Sequence, residues 1–456
     1  MRTILIAAAI LWSTVGTARA QPAGIAGDWA GALKVGGAEL HLVVHITSAP
    51  DGTLKATLDS TDQGALGIPV SSVALAGTKL TFKIAAIGGS YEGTLNEAAT
   101  TIDGTWTQGG SLPLVLTRSA ATAPAAPRRP QNPTKPYPYR DEDVSYQNAG
   151  AGITLAATLT IPPGAGPFPA VVLITGSGPQ DRDESLMGHR PFLVLADYLT
   201  RHGIAVLRAD DRGVGKSTGN FAKATSADFA TDAEAGVAYL QSRKEIDAKK
   251  IGLVGHSEGG LIAPMVAARN PAVAFIVLMA GSGVGGDEIL LEQSRLIAAA
   301  QGASPDQLAQ NAARMRPALQ LVKTESDEAV LASKLREQLA ALMPAEAIDA
   351  QLKPLLSPWY RYFVRYDPAP TLARAKVPVL AINGEKDLQV PPKQNLPAIR
   401  KALESGGNKS FDVIELPGLN HLFQTARTGS PSEYAQIEET MAPVALETIA
   451  GWILKR

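Results

Sequence analysis

Three residues of types that cooperate in nucleophilic catalysis follow apolar, strand-like runs in this sequence. Ser257 lies in Gly-His-Ser-Glu-Gly, between the apolar run 251–254 and a helical pattern over 261–269. This context predicts a sharp strand-to-helix turn that presents the serine hydroxyl. Asp387 and His421 follow two later apolar runs. The order serine, acid, histidine predicts a triad in which the histidine takes the serine proton and the acid orients the histidine.

Acyl transfer also requires donors for the negative oxygen of its intermediate. We predict that the backbone N–H of Glu258, directly after the nucleophile, is one donor. The N–H of Ser177 is the other, in the loop after the apolar run 170–175. The positive end of the helix that begins at the turn favours the same developing charge.

Two other residues compete for the triad roles. Glu385 lies two residues before Asp387, and we favour the aspartate. The chain has six histidines. His256 adjoins the nucleophile but is expected to point away from it, whereas His421 follows a strand after the acid.

Two segments resemble ligand sites, and we assign structural roles to both. The acidic run 181–184 offers carboxylates for a metal, but ion pairs made by Asp181 and Arg182 are the favoured interpretation. The segment 211–217 resembles a phosphate loop, yet Asp210 stands where a Walker loop requires glycine. We therefore predict no nucleotide, metal or other cofactor.

Apolar strands alternate with helices over residues 140–456. This alternation predicts an α/β domain with a doubly wound, mostly parallel sheet. The runs 144–148 and 153–161 are predicted to form an antiparallel pair at the sheet edge. Ligands bind such sheets at the carboxyl ends of the strands, where the predicted triad emerges.

This domain resembles the α/β-hydrolase superfamily, in its serine aminopeptidase-like or esterase-like branch. The resemblance rests on five motifs in order, which lie at 176–184, 210–217, 255–259, 384–387 and 418–421. It implies the hydrolase fold, the triad and a structural turn at the second motif. Family members often carry His-Gly where this chain has Thr175-Gly176, so that loop is expected to be held differently.

A helical cap is predicted at about 284–370, above the strand ends. The runs 289–300, 304–323 and 327–342 have helical periodicity, and 359–363 is an aromatic cluster. These aromatic side chains either line a substrate pocket or anchor the cap.

The N-terminal region 21–118 alternates apolar and polar residues between turn signals. It predicts a small antiparallel β-barrel or sandwich. His41 and His45 share one face, and we expect them to be solvated rather than metal ligands. The Ala- and Pro-rich segment 119–139 is predicted to be an extended linker whose arginines only aid solubility.

Residues 1–20 have a basic residue, an apolar run and Ala-Arg-Ala at the end, as in a secretory signal peptide. We expect export to the periplasm or beyond, with no membrane span left after cleavage. The chain has no cysteine, which excludes disulfides and a thiolate nucleophile. The formal net charge of −1 argues against a nucleic-acid partner.

We therefore expect an exported serine hydrolase that cleaves small-molecule carboxylic esters through an acyl-enzyme. The alternative is a serine peptidase, an aminopeptidase or Pro-specific enzyme, with the same triad. Such a peptidase needs an acid for the substrate amine, and Glu288 and Glu292 are candidates. A non-catalytic ligand-binding protein is the third alternative.

Overall fold

The computed structural model describes residues 24–35, 38–49, 52–60, 65–108, 110–119, 128–342 and 345–456. The predicted signal peptide and the linker residues 120–127 lie outside these ranges. The described residues form two compact units, one that ends at residue 119 and one that begins at residue 128.

The first unit is a single antiparallel sheet of nine strands. Its strand order is β4-β3-β2-β1-β9-β8-β7-β6-β5. The sheet curls into a half-barrel, so the barrel alternative holds in an open form and the two-sheet sandwich is wrong. Across the stretches of this unit that the structure describes, no hydrogen-bonded ladder joins β4 to β5. The strands are β1 (Gly27–Val35), β2 (Ala38–Ser48), β3 (Leu54–Ser60), β4 (Ala65–Pro69), β5 (Ser72–Ala76), β6 (Lys79–Ile84), β7 (Gly89–Leu95), β8 (Thr101–Thr107) and β9 (Ser111–Ser119).

The alternation in these strands produces one apolar face. Leu80, Phe82 and Ile84 of β6 are fully buried, whereas Lys79 and Lys83 on the opposite face of the strand are exposed. Trp29 is also fully buried, and its indole N–H donates to a backbone carbonyl. The inward side chains fill the curled sheet with a core of their own.

His45 is not simply solvated, contrary to the prediction. Its Nδ1 lies 2.7 Å from Asp28 Oδ1, and its Nε2 lies 2.9 Å from Asp59 Oδ2. Partial burial lowers the pKa of His45, but the two carboxylates outweigh it and raise that pKa. Within the described residues, no group of three or more His, Asp or Glu is suited to a metal ion.

The second unit contains an eight-stranded, mostly parallel sheet with the order β10-β11-β13-β12-β14-β15-β16-β17. As predicted, β10 and β11 form an antiparallel pair at one edge. The central strand β15 is almost wholly buried, because helices cover both faces of a parallel sheet. The strands are β10 (Arg140–Asn148), β11 (Ile153–Ile161), β12 (Phe168–Ile174), β13 (Ala205–Ala209), β14 (Ile246–His256), β15 (Val273–Met279), β16 (Val379–Gly384) and β17 (Phe411–Leu416).

Helices flank this sheet and also form an insertion between β15 and β16, which confirms the predicted helical cap. Three cap helices match the predicted runs, but α7 was not predicted. It is short and contains Pro354, although Ile348 and Leu352 are buried at helical spacing. The helices are α1 (Pro191–Arg201), α2 (Ser226–Gln241), α3 (Glu258–Ala267), α4 (Gly286–Ala300), α5 (Pro305–Thr324), α6 (Glu328–Ala340), α7 (Ala345–Leu355), α8 (Pro358–Arg365), α9 (Ala369–Arg374), α10 (Pro392–Ser405) and α11 (Pro443–Ile453).

The end of the predicted linker is bound to the second unit. The Arg129 guanidinium donates to the backbone carbonyls of Met187, Ala435 and Ile437, at 2.8 to 2.9 Å. The prediction that Arg129 only aids solubility is therefore wrong. Its side chain joins two surface loops that the sequence separates by about 250 residues.

Candidate active site

Ser257 lies at the turn between β14 and α3, with a backbone φ of 53° and ψ of −112°. A non-glycine residue rarely adopts such a positive φ, and the surrounding turn must hold it there. Gly255 and Gly259 explain how the turn closes. A Cβ on Gly255 would overlap the backbone of Gly259, and a Cβ on Gly259 would overlap the carbonyl of Ile174. The Gly-x-Ser-x-Gly pattern is therefore a steric requirement of this turn.

Asp387 and His421 are in direct contact. His421 Nδ1 lies 2.8 Å from Asp387 Oδ2, and both side chains are buried. The other carboxylate oxygen accepts the N–H groups of Gln389 and Val390, at 2.8 and 2.9 Å. These bonds hold the carboxylate so that Nδ1 donates a proton to it, and Nε2 is the ring nitrogen that does not contact the acid.

The rival acid has another partner. Glu385 Oε2 accepts the backbone N–H of Gly418, 2.8 Å away, and so orients the loop that carries His421. No hydrogen bond joins Ser257 to His421 in the described parts of the chain. Catalytic bonds are often long without substrate and shorten when it binds.

The two predicted oxyanion donors belong to segments that meet at the turn. Glu258 begins α3, and Ser177 follows Gly176 in the loop after β12. A Cβ on Gly176 would lie 3.4 Å from the Ser257 Cβ, so this loop passes directly beside Ser257. Among the residues that the structure describes, neither N–H donates to another protein group. Both remain available to an oxygen at the reacting carbon.

A buried glutamate and histidine that sequence reasoning set aside lie beneath these groups. His256 Nδ1 lies 2.9 Å from Glu184 Oε1, and His256 Nε2 lies 3.0 Å from the backbone oxygen of His421. Gly176 N–H donates to the same Glu184 oxygen, at 2.7 Å. The sequence signal was a polar residue at the buried end of a strand, which we expected only to point away from the active site.

The motif at 210–217 is a structural turn, as the resemblance implied. Asp211 accepts hydrogen bonds from the Thr175 hydroxyl and the Gln180 N–H, both at 2.9 Å. Burial raises the pKa of Asp211 to about 7; these hydrogen bonds oppose the shift, and the charges of Glu258 and Glu184 add to it. The acidic side chain thus anchors the loop that contains Ser177.

The acidic run after β12 forms ion pairs, but not all of those predicted. Arg182 binds Asp210 at 2.9 Å, as expected for a structural pair. Asp183 pairs with the buried Arg208. Asp181 makes no ion pair within the described residues; its Oδ1 instead accepts two N–H groups of its own turn.

Glu258 connects the turn to the cap. Its Oε1 accepts the Ser226 hydroxyl at 2.6 Å and the Trp359 indole N–H at 2.7 Å. Burial raises the pKa of the Glu258 carboxyl, and these two donors partly offset the shift. Trp359 also stacks on Phe363, with ring centroids 5.3 Å apart. The aromatic cluster on α8 therefore anchors the cap to the residue after Ser257.

A cavity of about 50 Å³ lies beside this contact, lined by Thr175, Gly176, Asp211, Phe229, Glu258 and Ile262. The two glutamates proposed for an amine are elsewhere. Glu292 pairs with Arg295 on the surface of α4, and Glu288 is exposed.

The sequence profile of the X-Pro dipeptidyl-peptidase (S15) family matches residues 151–409, which is more than half of the chain. The chain belongs to the S15 family. The matched region contains Ser257 and Asp387 and ends before His421. Membership confirms the resemblance to α/β-hydrolases of the peptidase-like and esterase-like branch, and the sheet has the α/β-hydrolase fold. This S15 family member is a hydrolase of esters or peptides.

A curated relative of this S15 family member has an esterase name. Esterase EstD of Thermotoga maritima is 28% identical over 325 residues, which cover 70% of this chain and 69% of the relative. The family description names a peptidase and the relative is an esterase. The two comparisons therefore do not decide between an ester bond and a peptide bond.

Two solved structures illustrate the backbone similarity. Est1E of Butyrivibrio proteoclasticus, with ferulic acid bound, is 18% identical at a TM-score of 0.42 and covers 68% of this chain and 98% of its own. An esterase of Pyrococcus furiosus is 18% identical, with a TM-score of 0.42, and the match covers 70% of this chain and 91% of that chain. Likeness at this level says nothing about substrate.

Within the described residues, no helix combines the length and apolar character needed to cross a bilayer.

Proposed function

We propose that this protein is an exported serine hydrolase that cleaves carboxylic esters through an acyl-enzyme. Ser257 Oγ attacks the acyl carbon while His421 Nε2 takes its proton, and the same nitrogen then protonates the leaving alcohol. Water, activated by His421, releases the acid in a second round. Asp387 holds the ring and stabilises its charged form, and the N–H groups of Ser177 and Glu258 receive the oxyanion.

The observation that carries this proposal is the contact between Asp387 and His421. The buried carboxylate holds Nδ1 at 2.8 Å. His421 also binds, through its backbone oxygen, the residue directly before Ser257. We infer that a histidine oriented by an acid in this way activates the weak hydroxyl nucleophile of the strained Ser257.

The state of the nearby acids favours esters over peptides with a free amino terminus. Such a peptide requires a carboxylate available to its ammonium group. Glu258 and Asp211 already accept two hydrogen bonds each from protein groups. The earlier candidates Glu288 and Glu292 lie on α4, exposed or paired with a cation. An uncharged ester needs none of these groups.

A peptidase that cleaves after proline is the second candidate, because the family profile that matches this chain describes X-Pro dipeptidyl-peptidases. The same serine, histidine and acid would cleave either bond. Export is part of the first proposal and is supported by the basic, apolar and Ala-Arg-Ala pattern of residues 1–20.

A fluorophosphonate probe tests the nucleophile. We expect it to label Ser257, and Ser257→Ala to remove labelling and p-nitrophenyl ester hydrolysis together. The labelled protein recovered from outside the cytoplasm should begin after Ala20. A folded protein that is not labelled would refute the mechanism.

Substrate choice is tested on the same preparation. The enzyme should have a higher kcat/KM for p-nitrophenyl esters than for aminoacyl-prolyl and aminoacyl nitroanilides. A higher kcat/KM for the nitroanilides, with that activity absent from the Ser257→Ala variant, would establish the peptidase instead.

A further inference from the structure

The proposed mechanism does not use Glu184 or His256, although both are hydrogen-bonded to segments that carry its residues. Each residue is only 5% exposed. Their side chains are 2.9 Å apart, at the junction of three segments. Burying two ionisable groups is costly, so their position requires a physical account.

The hydrogen bonds determine how this pair is protonated. A backbone carbonyl can only accept, so His256 Nε2 must carry a proton to bind the oxygen of His421 at 3.0 Å. Nδ1 faces a carboxylate oxygen that already accepts the Gly176 N–H. Burial lowers the pKa of His256, but the charge and hydrogen bond of Glu184 outweigh it and raise that pKa. The hydrogen bonds and the raised pKa of His256 together favour an imidazolium that donates from both ring nitrogens.

Each bond of the pair reaches a different part of the proposed machinery. Glu184 holds Gly176, which directly precedes the proposed oxyanion donor Ser177. His256 directly precedes Ser257 in the strained turn. Its Nε2 holds the backbone of His421, whose ring lies 4.9 Å from the His256 ring, centroid to centroid. One ion pair therefore connects the oxyanion loop, the nucleophile and the general base.

We propose that Glu184 and His256 are positioning residues, which set the loop with Ser177 and the segment of His421 relative to Ser257. This inference rests on the proposed function of those three residues. The pair touches no substrate. It acts through two backbone groups, the N–H of Gly176 and the carbonyl of His421.

A role in stability alone accounts less well for the pair. Packed apolar residues can replace a buried ion pair at little cost, and often with a gain in stability. Here the buried Oε2 of Glu184 also has no hydrogen-bond partner, so the arrangement retains an unsatisfied oxygen. An apolar pair could not orient the N–H of Gly176 and the carbonyl of His421, because it forms no hydrogen bonds.

Glu184→Gln tests the role, because its neutral amide oxygen accepts the Gly176 N–H more weakly than a carboxylate does, and the charge that holds the imidazolium is lost. A misplacement of about 1 Å costs on the order of 100-fold in rate, so we expect kcat on p-nitrophenyl butyrate to fall by about that factor. KM should stay close to that of the parent enzyme, and fluorophosphonate labelling of Ser257 should slow in parallel.

Asp183→Asn is the matched control. It removes the adjacent carboxylate from its buried pair with Arg208, which does not contact Gly176 or His256 in the described structure. We expect a lower melting temperature and an unchanged kcat. If both variants lose kcat in proportion to their loss of stability, the positioning role is overturned.

NMR of nitrogen-15-labelled protein tests the positioning role without measuring catalysis. In the parent protein both ring nitrogens of His256 should carry protons. In Glu184→Gln the Gly176 amide should exchange faster with solvent and the His421 ring signals should shift.

A neutral His256 in the parent protein, or an unchanged Gly176 amide in the variant, would overturn the inference. Absence of hydrolysis and labelling in the parent protein would instead refute the proposed function, and the NMR measurements would still decide the placement role of the pair.

Discussion

Trp359→Phe should loosen the cap by a predictable amount. The variant removes the indole N–H that binds Glu258 Oε1 at 2.7 Å but keeps an aromatic ring for the stack on Phe363. A hydrogen bond to a charged group contributes about 1.5–3 kcal/mol. Glu258 is only 4% exposed, so water does not easily replace the lost donor. Ser226 then remains as the one other side-chain donor to Glu258 among the described residues.

Amide hydrogen exchange of α8 is the appropriate assay, because a protein with two compact units has no single unfolding free energy. At about 1.4 kcal/mol per tenfold change, the lost bond should speed local opening of α8 by about 10- to 150-fold. The effect should grow as pH rises. Burial raises the pKa of Glu258, and the donor stabilises mainly the ionised form, which prevails above that pKa.

Two variants make this result interpretable. Tyr362→Phe removes a hydroxyl from the same helix without touching Glu258 and should exchange like the parent protein. In Glu258→Gln the acceptor is retained without its charge, so adding Trp359→Phe to it should have a smaller effect than in the parent. If Trp359→Phe exchanges no faster than Tyr362→Phe, the indole bond does not anchor the cap.

Two further predictions concern acids near the site. Asp387→Asn should lower kcat by about 10⁴-fold because the His421 ring loses its orienting acceptor, whereas Glu385→Gln should keep most activity; equal losses would overturn the assignment. Asp211 has a pKa raised to about 7, so between pH ~4 and ~7 the folded state keeps a proton that the unfolded state has lost. Its contribution should lower stability by up to about 1.4 kcal/mol per pH unit as pH rises. The unfolding transition of the second unit should therefore shift less with pH in Asp211→Asn than in the parent protein, and an equal shift would contradict the raised pKa.

Local chemistry explains why much of the fold was predictable. The period-two pattern of β6 and the continuous apolar run of β15 follow from burial of one sheet face or of both. The start of α5 also has a local cause, because Ser304 and Gln307 form a capping box there. Where the local signal was weak the prediction failed, as for α7, and for β4 and β5, which were not predicted as strands.

Closure of the β unit could not be read from the sequence. Alternation specifies which side chains share a face, and barrels and sandwiches share this pattern. Whether β4 and β5 meet depends on the curl accumulated over nine strands, which no single strand encodes.

The sequence by itself predicted the strained turn at Ser257, because Gly255 and Gly259 satisfy a steric requirement that depends on neighbouring residues. It also predicted which acid and which histidine to test, since strand order brings distant strand ends to one edge. Only the tertiary structure decided that His256 lies between Glu184 and His421, and that Glu258 holds Trp359. These contacts join residues 72 to 165 positions apart, and nothing in the local sequence restricts which buried partners meet.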